Sequence, residues 1–192
     1  MKYVDLSQHI HELRAEKTGR AIGRGMRLSE VWSAVLDSPK TDISEIRYYE
    51  ANLPDPFDGL FVRLQGPNDE SIAAVYVRKS LDNHWKEFVA IKELMHCWSP
   101  THTWEGTPKS VRLLAKALTS KHGRYTPNVA ADSGAVNAAA EVILPHKTVE
   151  RHIAQEHDSA HIAFAHGLHE EIVSMICRHD FLQERKNGSL GG

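Results

Sequence analysis

The spacing of apolar side chains divides the chain into three regions. Near the start, Val4, Leu6, Ile10 and Leu13 recur every two to four residues, which predicts a helix that stops before Gly19. Val31, Trp32, Val35 and Leu36 predict a second helix, with Ser29 as its N-cap and Ser38-Pro39 as its stop. The connector between them, GRAIGRGMR, is rich in Gly and Arg and reads as a mobile loop. From Ile43 the period changes to two. ISEIRYYEA, GLFVRLQ and SIAAVYVRKS are short, β-branched and aromatic, and they alternate with the turn-rich LPDPFDG and GPNDE. They predict three strands, paired antiparallel because parallel neighbours need a long crossover.

After Asp82 the helical period returns. The first predicted helix runs over 81–98, bounded by Ser99-Pro100. Another opens at Thr107-Pro108, carries Val111, Leu114 and Leu118, and ends at Gly123. A third covers about 133–143 with Pro145 closing it, and two or three short helices follow with a break at Gly167. The order of helices, sheet, helices makes the class α+β, with a small antiparallel sheet. The expected organisation is an N-terminal helical segment over 1–40, an α+β core over 41–145, a helix-turn-helix-like subdomain over 146–183 and a flexible tail over 184–192.

Composition narrows the function classes. With 192 residues, 41% of them hydrophobic, and a net charge of −2, the chain has material for one core and lacks the signature of disorder. No apolar stretch approaches the roughly 18 residues of a membrane span, so no membrane partner is expected. MKYVDLSQHIHELRAEK has acids and histidines where the apolar part of a secretory signal would sit. Two cysteines, Cys97 and Cys177, do not make a disulfide framework, so a reduced, cytoplasmic setting is expected. The near-neutral charge supplies no basic field, and direct nucleic-acid binding is not expected. Thirteen histidines are unusual and bring metal chemistry into consideration.

The segment richest in chemistry is Phe88-Val-Ala-Ile-Lys92-Glu93-Leu-Met-His96-Cys-Trp98. On a helix, Trp85, Phe88, Ile91, Met95 and Trp98 form the core-facing stripe. Lys92 and His96 stack four apart, with Glu93 beside them, on a face that the stripe leaves uncovered. This is the HExxH zinc helix with Lys92 in place of the first His. In the intact motif two His hold Zn²⁺ and the Glu deprotonates the metal-bound water.

Three strands, an HExxH-type helix, a helical insert and the Ala-rich Gly134-Ala-Val-Asn-Ala-Ala-Ala-Glu-Val-Ile-Leu-Pro145 together resemble the ImmA/IrrE metallopeptidases over about residues 43–182. The resemblance implies cleavage of helix-turn-helix repressors of mobile elements or stress regulons. It also implies a third zinc ligand near Gly134, where no side chain exists; Asp132 is the nearest acid. Glu141 matches a non-ligand position.

Deprotonating Lys92 for coordination costs roughly 4–5 kcal/mol at neutral pH. A sharper reading makes its ammonium the replacement for the metal, neutralising Glu93 and Asp132, with Glu93, His96 and Lys92 as the site residues. No cofactor is then expected. The domain acts by binding a protein partner such as a helix-turn-helix repressor, in regulation of a prophage, mobile element or stress response. The alternatives are an active divergent zinc peptidase, with His96, Asp132 and a further group such as His102 as ligands and Glu93 as base, or a purely structural scaffold. His157 and His161 at i,i+4, and His166 and His169 at i,i+3, have metal-compatible spacing but read as surface residues. Cys97 reads as a core thiol.

Overall fold

The structure, a computed structural model, describes residues 1–19, 24–99, 127–188 and Leu190, with the backbone alone for 127–132. Helix α1 (Tyr3–Thr18) buries Tyr3, Leu6, Ser7, Ile10, His11 and Arg14, a stripe at helical spacing that is half polar. Its polar members have fixed destinations. Ser7 Oγ donates to Glu141 O at 2.8 Å, and His11 Nε2 donates to Val142 O at 2.9 Å. Helix α2 (Leu28–Asp37) ends before Pro39 as expected, but it begins two residues earlier than a Ser29 N-cap implied, with Arg27 at the N-cap. One local and one tertiary acceptor decide this: Glu30 Oε2, at the N3 position, takes the Arg27 N–H at 2.9 Å, and Glu87 Oε1 takes the Leu28 N–H at 3.1 Å.

The three strands β1 (Ile43–Ala51), β2 (Gly59–Gln65) and β3 (Ser71–Arg78) form where alternation places them. Their order is β1-β3-β2, and β1 runs parallel to β3 while β2 runs antiparallel, so the sheet is mixed rather than antiparallel. The seven residues 52–58 cross over the end of β3 to the far edge, a span of two strand spacings, about 10 Å. Strand β2 then serves as the return leg of the crossover. Arg78 at the end of β3 clamps this loop through Asp58 Oδ1 at 2.9 Å and Phe57 O at 2.6 Å. As the central strand, β3 buries the consecutive residues Ile72, Ala73, Ala74 and Val75.

Helix α3 (Asn83–Met95) tightens into a 3₁₀ turn (His96–Trp98) and packs on β2 and β3. The predicted 107–123 helix lies outside the described residues. Helix α4 (Pro127–Ile143) lies between α1 and α3 and starts earlier than about 133. Four short helices follow where two or three were expected, because the last segment breaks at Cys177-Arg178: α5 (His146–Ala154), α6 (Ser159–His166), α7 (Glu170–Ile176) and α8 (His179–Asn187). One hydrophobic cluster runs through helices and sheet. The tail is partly held: Leu190 is buried and exchanges backbone hydrogen bonds with Met1. No helix of the described residues is long and apolar enough to cross a membrane.

One buried ion pair ties the helices together. Arg185 of α8, 0% exposed, donates through Nε to Glu141 Oε2 at 3.0 Å, through NH1 to Ile176 O at 3.1 Å and through NH2 to Leu144 O. Glu141 also accepts from His146, through the backbone N–H at 3.0 Å and Nδ1 at 2.8 Å. Removing one charge strands the other inside the core, so Arg185→Met is expected to lower the unfolding free energy by about 3–5 kcal/mol in urea titrations. Replacing the pair together by Arg185→Met/Glu141→Gln should recover part of that loss. Stability should also fall in acid. Burial, with the nearby Arg14 charge, lowers the His11 value to about 4. The unfolded chain therefore takes up its proton first, near pH 6.5, and His11 contributes stability above that value that is lost as pH falls from 6.5 towards 4. The loss is about 3 kcal/mol, and urea midpoints of His11→Gln should decline less over this range.

Candidate functional site

Helix α3 is built to be surrounded. Its last two turns bury Phe88, Val89, Ala90, Ile91, Leu94 and Met95 against sheet and helices, and the face carrying Lys92, Glu93 and His96 is covered as well. The sequence pattern left that face open; packing of β2 over it closes it. Glu93 is 2% exposed and His96 1%. Gly59, the first residue of β2, lies directly on the carboxylate. A methyl group there would collide with Glu93 Oε1 and Val89 Cγ1, so only glycine allows the strand to come this close.

Within this enclosure the Lys92 Nζ stands 2.6 Å from Glu93 Oε1, with the lysine side chain 11% exposed. Glu93 Oε2 is 3.6 Å from His96 Nε2, and the His96 ring lies against Phe61 with centroids 5.7 Å apart. Burial, reinforced by the Lys92 charge, holds His96 well below the ordinary imidazole value, so it is neutral at pH 7. The neighbouring thiol is core: burial pushes Cys97 up to about 12, which removes it as a nucleophile.

Beside the pair lies a cavity of about 280 Å³, walled by Phe57, Trp85, Phe88, Val89, Val136 and Met175, with Asp58, Lys92 and Glu93 as its charged part. Three structural regions meet there: the loop before β2, helix α3, and the helices α4 and α7. Asp132 lies one turn before Val136 in α4; its side chain is outside the described residues, as is His102.

The described side chains do not by themselves fit a catalytic zinc. Such a centre needs three protein donors and an open position. The described side chains here provide one imidazole and one carboxylate, and an ammonium already sits against that carboxylate. What the arrangement does chemically is set an ammonium against a buried Glu and present an apolar hollow with a polar floor. Among the described residues, three potential metal donors converge instead at His152, His157 and His161, and at His84, His169 and Glu171. Glu171 Oε2 accepts from both His84 Nε2 at 3.1 Å and Trp85 Nε1 at 3.0 Å, so α7 docks on α3 through it. The i,i+4 spacing pointed to His157 and His161 but read them as surface residues; His157 is half-buried, and His152, five residues before it, had no signal in helical spacing.

Lys92→Met should destabilise the protein by about 3–5 kcal/mol in urea unfolding, because it removes the ammonium 2.6 Å from a buried carboxylate. The double variant Lys92→Met/Glu93→Gln should regain much of that loss; a double variant as unstable as the single one would show that the two charges do not act as a pair. Compared with known protein families, curated proteins and solved structures, the chain gives no match in any of the three.

Proposed function

We propose that the chain is a metallopeptidase-like domain of the ImmA/IrrE kind that has exchanged its metal for an internal ammonium ion and works by holding a protein partner. The observation that carries this reading is the Lys92–Glu93 pair at 2.6 Å, on a helix whose KELMH segment has the spacing of a zinc helix. The pair preserves the charge balance of a cation over a carboxylate while supplying no Lewis acid. A buried Glu already matched by an ammonium and a neutral His96 together lack the means to activate water as the intact motif does. Loss of hydrolysis leaves the substrate groove as a binding surface, and the apolar cavity beside Lys92 is a place for a partner's apolar side chain.

The partner on this reading is a helix-turn-helix repressor of a prophage, mobile element or stress regulon, and the setting is the cytoplasm. Binding is best tested by calorimetric titration with a repressor encoded beside the gene. Complex formation without cleavage is expected, unaffected by chelator. Val136→Arg or Met175→Arg, each of which places a charge at the cavity wall, should weaken binding at least about tenfold, or 1.4 kcal/mol. Chelator-sensitive cleavage of the repressor, or bound zinc that disappears in His96→Ala, would overturn the reading.

A further inference from the structure

Four histidines meet where α5 gives way to α6, and the backbone explains why. Helix α5 ends in a Schellman motif: the Glu156 N–H donates to Ile153 O at 3.0 Å, and the His157 N–H donates to His152 O at 3.1 Å. The turn residue Glu156 is left-handed at φ 58°, a conformation that costs a non-glycine residue roughly 1–2 kcal/mol. This motif brings the third residue from the helix end against the residue just past the turn, and the contact is normally apolar. At the end of α6 it is: the same motif around Gly167 joins Leu168 to Ala163, with the Leu168 N–H on Ala163 O at 2.9 Å. At the end of α5 both positions are histidine, and their Nδ1 atoms are 2.8 Å apart.

A third imidazole is delivered by the next cap. Asp158 Oδ1 accepts the His161 N–H at 2.8 Å, fixing His161 in the first turn of α6. Its ring stacks on His157 at 3.8 Å with 24° between planes. Behind them, His166 Nε2 is 2.9 Å from His152 Nε2, and His166 Nδ1 accepts the Gly25 N–H at 3.2 Å.

We propose that His152, His157 and His161 form a binding site for a zinc-type divalent cation, separate from the Lys92 site and independent of its reading. One donor atom from each residue lies within 4.8 Å of the other two. With metal–nitrogen bonds of about 2.0–2.1 Å, the donors of a tetrahedral centre stand about 3.3 Å apart. The His152 and His157 Nδ1 atoms are already near that spacing, and the exposed His161 ring completes the set by turning out of its stack on His157. Three neutral nitrogens without thiolate or carboxylate select zinc, copper, nickel or cobalt over magnesium and calcium.

Loading has a signature at a distance. With neutral rings, the Gly25 N–H on His166 Nδ1 leaves the His166 proton on Nε2, donating to His152 Nε2. The His152 proton then sits on Nδ1 and donates to His157 Nδ1. A cation bound to both Nδ1 atoms takes the place of that proton. His152 then carries its proton on Nε2 and His166 carries its own on Nδ1, with no net release. The direction of the chain reverses and the Gly25 N–H loses its acceptor.

The test is titration of the untagged full-length protein with ZnCl₂, and with CoCl₂ as a visible probe. One ion per chain, four-coordinate Co²⁺ absorption and a shift of the Gly25 amide resonance are expected. His157→Ala and His161→Ala should each lower affinity at least about tenfold, with urea midpoints confirming that the variants fold. His84→Ala and His96→Ala should leave affinity unchanged. Absence of saturable binding, or binding that survives the His157→Ala/His161→Ala double variant, would overturn the site. So would zinc lost in His84→Ala; loss in His96→Ala would overturn both this site and the metal-free reading of Lys92.

Discussion

A guanidinium with no surface in water must find its acceptors inside the protein, and Arg185 finds them on three stretches of chain: Glu141 in α4, Leu144 just beyond it, and Ile176 at the end of α7. Glu141 is shared with His146 at the start of α5, and its own carbonyl receives Ser7 from α1. The arrangement therefore sets how the N-terminal helix, α4 and the C-terminal helices meet. A buried pair of this kind adds little net stability over a well-packed apolar core, because desolvation offsets most of the attraction. What it enforces is register: a shifted helix would leave a bare charge in the interior. The wall of the cavity contributed by Val136 and Met175 depends on that register.

The same electrostatic rule governs the KELMH segment. Glu93 lies under Gly59, where water cannot screen it, so it needs a positive charge at close range. A metal would meet that need with a divalent cation held by three donors; Lys92 meets it with one amine from the adjacent residue of the same helix. An amine in this position meets the demand of the buried carboxylate without supplying a group that would polarise water. On the proposed reading, this is why a carboxylate can stay where Lys92 stands in the place of a zinc helix's first histidine, and why holding a partner follows rather than hydrolysis.

At the other end of the molecule, helix-end geometry supplies what charge supplies at Lys92. Two successive short helices both close with the same backbone motif, yet one joins an apolar pair and the other a histidine pair. The difference is side-chain chemistry placed on an identical scaffold, with a left-handed Glu156 where glycine would be easier. Imidazoles brought together in this way are donors in search of an acceptor, and a proton or a borderline cation can fill that place.

Local pattern placed the strands and most helix ends, though not the starts of α2 and α4. Alternation located β1, β2 and β3, and Pro39, Pro145 and Gly167 stopped helices as read, since period and backbone propensity are local properties. The Lys92, Glu93 and His96 trio was legible for the same reason, because helical spacing puts those side chains on one face. Strand order was set by packing, since it depends on a loop crossing β3, and so was the burial of the trio, which depends on Gly59 arriving from 34 residues away. The tertiary structure also decided that Glu141 is held by Arg185 and that His152 joins His157 across a left-handed turn. Pattern reveals which way a side chain faces along its own element; what it meets there is set by segments brought together only when the whole core closes.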